Sequence, residues 1–178
     1  MKPYISSVLA VLILSGCSAI DIKQYSDYQP RFELFDYFMG DTKGWGIVQD
    51  RKSVLTRQFT VNIIGRLDAE GNLVLEERFV WDNGEKSSRT WTISRIGEHA
   101  YNGRAEDVVG IATGAAYGNA LNWQYRLNLE VGGSTWKIHF DDWMFLQPDN
   151  VLINRAAMSK FGFHVGDVTI VFNKPKLN

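Results

Sequence analysis

The chain has 178 residues, 19 Lys+Arg against 20 Asp+Glu for a net charge of −1, and 45% hydrophobic residues. That balance has no basic excess and no Lys/Arg run, which argues against a nucleic-acid partner and against a polybasic membrane patch. Cys17 is the only cysteine, which excludes an internal disulfide and any metal site built on several cysteines.

The first sixteen residues read as an export signal. Lys2, the mostly apolar run Val8–Leu14 and the small residues Ser15-Gly16 before Cys17 follow the charged, apolar, small-residue order of such a segment. Leu14-Ser15-Gly16-Cys17 resembles a bacterial lipobox, whose cysteine becomes the acylated first residue of the mature chain. Val8–Ala19 is twelve residues, too short for a span that needs about 20. Cleavage removes Lys2 and leaves 162 residues with a net charge near −2, enough for one domain with its own core. The implied partner is the lipid bilayer, held by acyl chains on Cys17 at about 0.8 kcal/mol per buried CH₂. In the Gram-negative lipoproteins that this segment resembles, Asp after the cysteine signals inner-membrane retention, so Ser18 there implies the outer membrane, facing the periplasm. Protein partners are not legible.

Residues 17–31 are polar and interrupted by Pro30, and read as a lipidated tether. Phe32, Phe35 and Leu34, Phe38 have helical spacing, which predicts a short helix that plugs a core. After Gly40 the period becomes two. The clearest strand is residues 121–131, where Leu121, Trp123, Tyr125, Leu127, Leu129 and Val131 alternate with polar residues. Gly132-Gly133 suits a two-residue turn, and pairing Val131 with Ser134 sets Leu129 opposite Trp136, Leu127 opposite Ile138 and Tyr125 opposite Phe140. Further strands are predicted at Val54–Leu67, Asn72–Asp82, Glu85–Ile96, Val151–Met158 and Phe163–Phe172. At Asn83-Gly84 a two-residue turn puts Trp81 and Trp91 on opposite faces and a three-residue loop reunites them; both stay open. Residues 110–120, with Gly or Ala at every even position, fit either a strand with one bare face or a helix. Successive strands with short turns imply an all-β fold: an antiparallel up-and-down barrel over residues 32–178, closed because closure removes exposed edges, with a two-sheet sandwich as the alternative.

Asp142 interrupts the apolar face of its strand opposite Trp123. Pairing Leu146 with Val151 across the next loop would bring it to Arg155, and a buried carboxylate needs such a partner. Glu77 and Arg57 likewise interrupt apolar faces. Arg155, Asp142, Arg57 and Glu77 are therefore candidate polar anchors for a ligand lying among Trp123, Phe140 and Trp136; the plainer reading is an internal salt bridge and a wet barrel mouth. No Gly-x-Ser-x-Gly elbow, phosphate loop, dinucleotide fingerprint or metal-ligand cluster is present, so neither a cofactor nor a metal nor enzymatic activity is expected.

Two family resemblances follow. Gly40 to Trp45-Gly46, at the start of the first strand, resembles the Gly-x-Trp opening of lipocalins and implies the same barrel. Trp45-Gly46-Ile47-Val48-Gln49-Asp50-Arg51, Asp107-Val108-Val109-Gly110, His139-Phe140-Asp141-Asp142-Trp143-Met144 and Ile153-Asn154-Arg155 resemble a proteobacterial lipoprotein family known as domain of unknown function 3833, which implies no activity. The function expected is the binding of a fatty-acyl or other apolar ligand inside a lipid-anchored periplasmic barrel. The alternatives are an envelope scaffold with a solid core, its outer face Trp143, His139, Asp141 and Phe145 meeting a partner, and a lipid-modifying enzyme or hydrolase.

Overall fold

From Gly40 onward, alternating apolar and polar residues favour extended chain, because successive side chains of a strand point to opposite faces. The computed structural model describes residues 20–174. A 3-10 turn at Ile22–Tyr25 and one helix, α1 (Leu34–Phe38), precede ten strands. These are β1 (Gly40–Asp50), β2 (Leu55–Leu67), β3 (Leu73–Trp81), β4 (Lys86–Arg95), β5 (Ala100–Arg104), β6 (Ala112–Tyr117), β7 (Ala120–Val131), β8 (Ser134–Leu146), β9 (Val151–Lys160) and β10 (Phe163–Asn173). Each strand pairs antiparallel with its neighbours in sequence, and β10 pairs with β1, so the sheet is a closed up-and-down barrel. It is a barrel and not a sandwich.

The β7–β8 hairpin has the register its pattern sets, from Val131 opposite Ser134 to Trp123 opposite Asp142. At Asn83-Gly84 the Trp81 amide bonds to the Glu85 carbonyl at 2.9 Å, a three-residue loop that places Trp81 and Trp91 on the same inner face. Residues 112–117 form a strand, and its bare face is functional in packing. A Cβ at Gly114 or Gly103 would overlap the Trp123 indole, which lies between the two glycines and is 5% exposed. Strand β5 is too short and too mixed to stand out in the sequence.

α1 closes one end. Phe32, Leu34, Tyr37 and Phe38 are buried, Phe38 meets Phe172 edge-on at 5.7 Å, and the Tyr37 hydroxyl donates to the Asn150 carbonyl at 3.0 Å. The segment expected as a tether is docked instead of hanging free over its described part. Tyr25 packs on Phe145 and Trp143 at 5.3 and 5.9 Å, and the Phe32 amide donates to the Gly118 carbonyl at 2.7 Å.

The wall has one weak place. β5 pairs with β4 only over Thr92–Arg95, so the upper half of β4 has no ladder on that side. The 105–111 connection fills the gap, bonded to β7 through Val109 to the Arg126 carbonyl (2.8 Å) and Asn128 to the Asp107 carbonyl (3.2 Å). Among the described residues no backbone hydrogen bond joins it to β4. The packing account is checked by Gly114→Val: forcing side-chain atoms into the Trp123 ring should cost about 1–3 kcal/mol in urea unfolding. A change within the scatter of neutral surface substitutions would contradict it.

Candidate functional site

The barrel interior carries a polar layer in an apolar lumen. Glu77 on β3 and Arg89 on β4 are cross-strand partners, both on the inner face that also holds Leu75 and Trp91. Arg89 reaches across the weak place in the wall and holds Asp107 with two nitrogens, Nε at 3.0 Å from each carboxylate oxygen and Nη2 at 2.6 Å. Across the gap, on β7 and β8, the Tyr125 hydroxyl donates to Asp142 Oδ2 at 3.1 Å, and Tyr125 stacks on Phe140 at 5.1 Å. Asp142 is 6% exposed, and its Oδ1 has no hydrogen-bond partner. Such an oxygen is costly to bury unless something completes it.

Between this layer and α1 lies a cavity of about 60 Å³, with Leu34, Phe38 and Phe172 at its floor and Glu77, Tyr125 and Trp123 above. It has room for about two waters. Glu77 is half-buried and lines this cavity. Burial pushes the Glu77 carboxyl up to about 7, against the pull of the Arg89 charge and with Asp107 adding to the rise. Burial likewise pushes Asp142 up to about 7; the Tyr125 hydroxyl opposes the rise and the neighbouring Asp141 adds to it. For Arg89, burial disfavours the charge, but Glu77 and Asp107 outweigh it and hold the guanidinium above its ordinary value.

Four of the residues singled out in the sequence meet at the lumen: Glu77, Asp142, Trp123 and Phe140. The others do not. Arg155 is on the outer surface, its side chain 73% exposed and 3.8 Å from Asp167. The expected register is off by one, because the chain passes through a 3-10 turn at Pro148–Asn150 with Asp149 and Asn150 in the left-handed region. Leu146 therefore faces Leu152, and Asp142 faces Ala156. The Asp142–Arg155 ion pair is not formed. Arg57 is at the rim away from α1, bonded to Glu85 at 2.8 Å and stacked 3.8 Å over Trp81, and so does not pair with Glu77. Trp136 is also near that rim, with Lys160 Nζ 3.2 Å from its ring centre. Cys17 lies outside the described residues.

Three members of the layer escaped the sequence reading. Arg89 shares the parity of Trp91 and Ile93, a signal that depends on the register left open at Asn83-Gly84. Tyr125 was visible only as part of an apolar stripe. Asp107 sits in a connection with no pattern to mark it.

Known proteins give this geometry a frame. A family profile described as "Protein of unknown function (DUF3833)" matches residues 11–174. No curated protein matches the chain in sequence. Among solved structures, a protein of unknown function from the DUF3598 family of Nostoc punctiforme is similar with a TM-score of 0.60 and 14% identity over 83% of this chain. The chain covers 51% of that protein, about half its length. The S-type phycobiliprotein lyase CPES from Guillardia theta is similar with a TM-score of 0.58 and 9% identity, over 81% of this chain and 92% of the lyase. At these identities the likeness is one of fold.

The two raised carboxyls set a pH dependence. Unfolded, they titrate near 3.8 and 4.5; folded, near 7. Both states are largely protonated below about pH 3, so the stability is full there. As pH rises toward 7 the unfolded chain ionises first and stability falls; above that the loss is complete. Asp142→Asn keeps the Tyr125 contact and removes its share of the loss. In urea unfolding it should match the parent at pH 3 and exceed it at pH 8 by an amount on the order of 1–4 kcal/mol. Equal differences at both pH values would contradict the assignment.

Proposed function

We propose, for a chain that belongs to the DUF3833 family of proteins of unknown function, that it is a lipid-anchored periplasmic lipoprotein whose barrel binds an apolar ligand by its polar head. Acylation of Cys17 and the outer-membrane location rest on the lipobox-like sequence. The binding reading rests on one observation: an apolar lumen holding Glu77, Arg89 and Asp142, one of whose carboxylate oxygens is buried and unpartnered. A core packed only for stability gains by replacing such groups with apolar ones.

The head chemistry follows from the charges. Arg89 is engaged by Asp107 in a two-nitrogen grip, whereas Glu77 and Asp142 offer acceptors. The ionised carboxyls suit a head that donates hydrogen bonds, a hydroxyl, amide or amine, and when protonated they can donate in turn. The ligand's way in is the weak place between β4 and β7, where releasing Arg89 from Asp107 lets the 105–111 connection part from β4. Glu77 and Asp142 act here as acceptors, in binding and not in catalysis.

A second reading, the solid-core scaffold, is favoured by the cavity volume. About 60 Å³ is well below the roughly 300–1,000 Å³ of pockets for drug-sized ligands. Native mass spectrometry of the mature protein extracted from membranes in mild detergent separates the two. The binding reading expects a stoichiometric adduct beyond the acylated chain, released by organic solvent and lost in Asp142→Asn with the fold intact. A clean mass of the acylated chain alone, after incubation with envelope lipids as well, would leave the scaffold.

A further inference from the structure

We infer that the outer wall formed by β8, β9, β10 and β1 beside the docked N-terminal segment is the face that rests on the lipid bilayer. The inference builds on the acylation of Cys17 put forward above, and adds which side of the barrel the anchor presents.

The wall carries an apolar row at one level. Trp45 on β1 is opposite Val171 on β10, Val171 is opposite Ile153 on β9, and Ile153 is opposite Phe145 on β8. Opposed side chains in an antiparallel sheet are about 5 Å apart, so these four form one continuous strip across four strands. Trp45 is 48% exposed, and Val171 and Ile153 are each 39% exposed. A barrel buries its apolar side chains inward; an outward strip of this kind marks a contact surface.

The N-terminal segment lies against β6 and β7 and touches the β8 end of this strip through one ring. Tyr25 packs on Phe145, and Tyr28 packs on Tyr25 at 5.7 Å while remaining 57% exposed. Cys17 is eight residues before Tyr25, which puts the anchor within at most about 29 Å of the strip even when the chain is fully extended. An acylated Cys17 therefore holds the docked segment, and with it this wall, close to the membrane surface. The chemistry of the strip suits that place. Trp and Tyr prefer the interface between headgroups and acyl chains, and Lys43, whose Nζ is 5.2 Å from the Trp45 ring centre, and the exposed Arg155 supply cations at headgroup level. The competing contact is the β9–β10 tip at the far end, where Phe161 is 90% exposed. It lies at the rim opposite α1, away from the docked segment.

The test is depth measurement by spin labelling of the acylated chain in vesicles of phosphatidylethanolamine and phosphatidylglycerol. Labels are placed one at a time at Trp45→Cys, Val171→Cys, Phe161→Cys and Asn83→Cys, the acyl mass on Cys17 being confirmed for each. At positions 45 and 171, collisions with oxygen should exceed those with a water-soluble nickel complex, while positions 83 and 161 should show the reverse. An acylated chain with 45 and 171 as aqueous as 83, or with 161 the membrane-embedded position, overturns the docking face and leaves the anchor standing. A chain with no acyl mass on Cys17 overturns the anchor, and the docking face with it.

Discussion

The shortness of β5 is the constraint on which the rest of the interior depends. A barrel is stable because every strand has two partners and no edge is left open. Here β4 loses its partner halfway up, and a side chain takes over what the backbone ladder does elsewhere. The Arg89 grip on Asp107 is the bond from the upper half of β4 to the connection that covers the gap. That forces a cation onto an inward-facing position, and an inward cation calls for Glu77 opposite it. The polar layer across the lumen is thus tied to the defect in the wall, and the raised carboxyls stand at the place where the wall is least secured.

The layer is not balanced by its own members. Three carboxyls and one guanidinium share a region otherwise built of aromatic and aliphatic side chains, and one Asp142 oxygen has no partner. A purely architectural clamp would need Arg89, Asp107 and Glu77; it would not need Asp142 and Tyr125 on β8 and β7 across the gap. Those two bring a further carboxyl and a hydroxyl into the lumen, and the binding proposal rests on them. α1 limits the open space below the layer, because Leu34 and Phe38 line the floor of the cavity.

The sequence exposes the parts of this fold that obey short-range rules. Strict alternation on both sides of Gly132-Gly133 sets the β7–β8 register without reference to anything distant, and the aromatic helix before Gly40 follows from its spacing alone. Registers across loops are another matter. One extra residue in the turn after Leu146 carries Arg155 from the inside to the outside, since a one-residue slip exchanges the two faces. The left-handed Asp149 and Asn150 that cause the slip are ordinary loop residues in the sequence. Glu77 and Asp142 stand out because each breaks an apolar stripe on its own strand. Asp107 has no such background, and its role exists only once β5 ends early and leaves Arg89 facing a gap. The docked Tyr25 was likewise hidden, since nothing local marks a polar stretch as lying against a wall.

Hydrogen exchange read by mass spectrometry tests the central claim, that the barrel opens between β4 and the 105–111 connection. The account expects peptides covering residues 86–91 and 105–111 to exchange much faster than the β7–β8 hairpin, and faster still in Asp107→Asn, with β1, β2 and β8–β10 unchanged. Protection of 86–91 and 105–111 equal to that of the hairpin, unaltered by Asp107→Asn, would contradict it and leave a barrel closed all the way round.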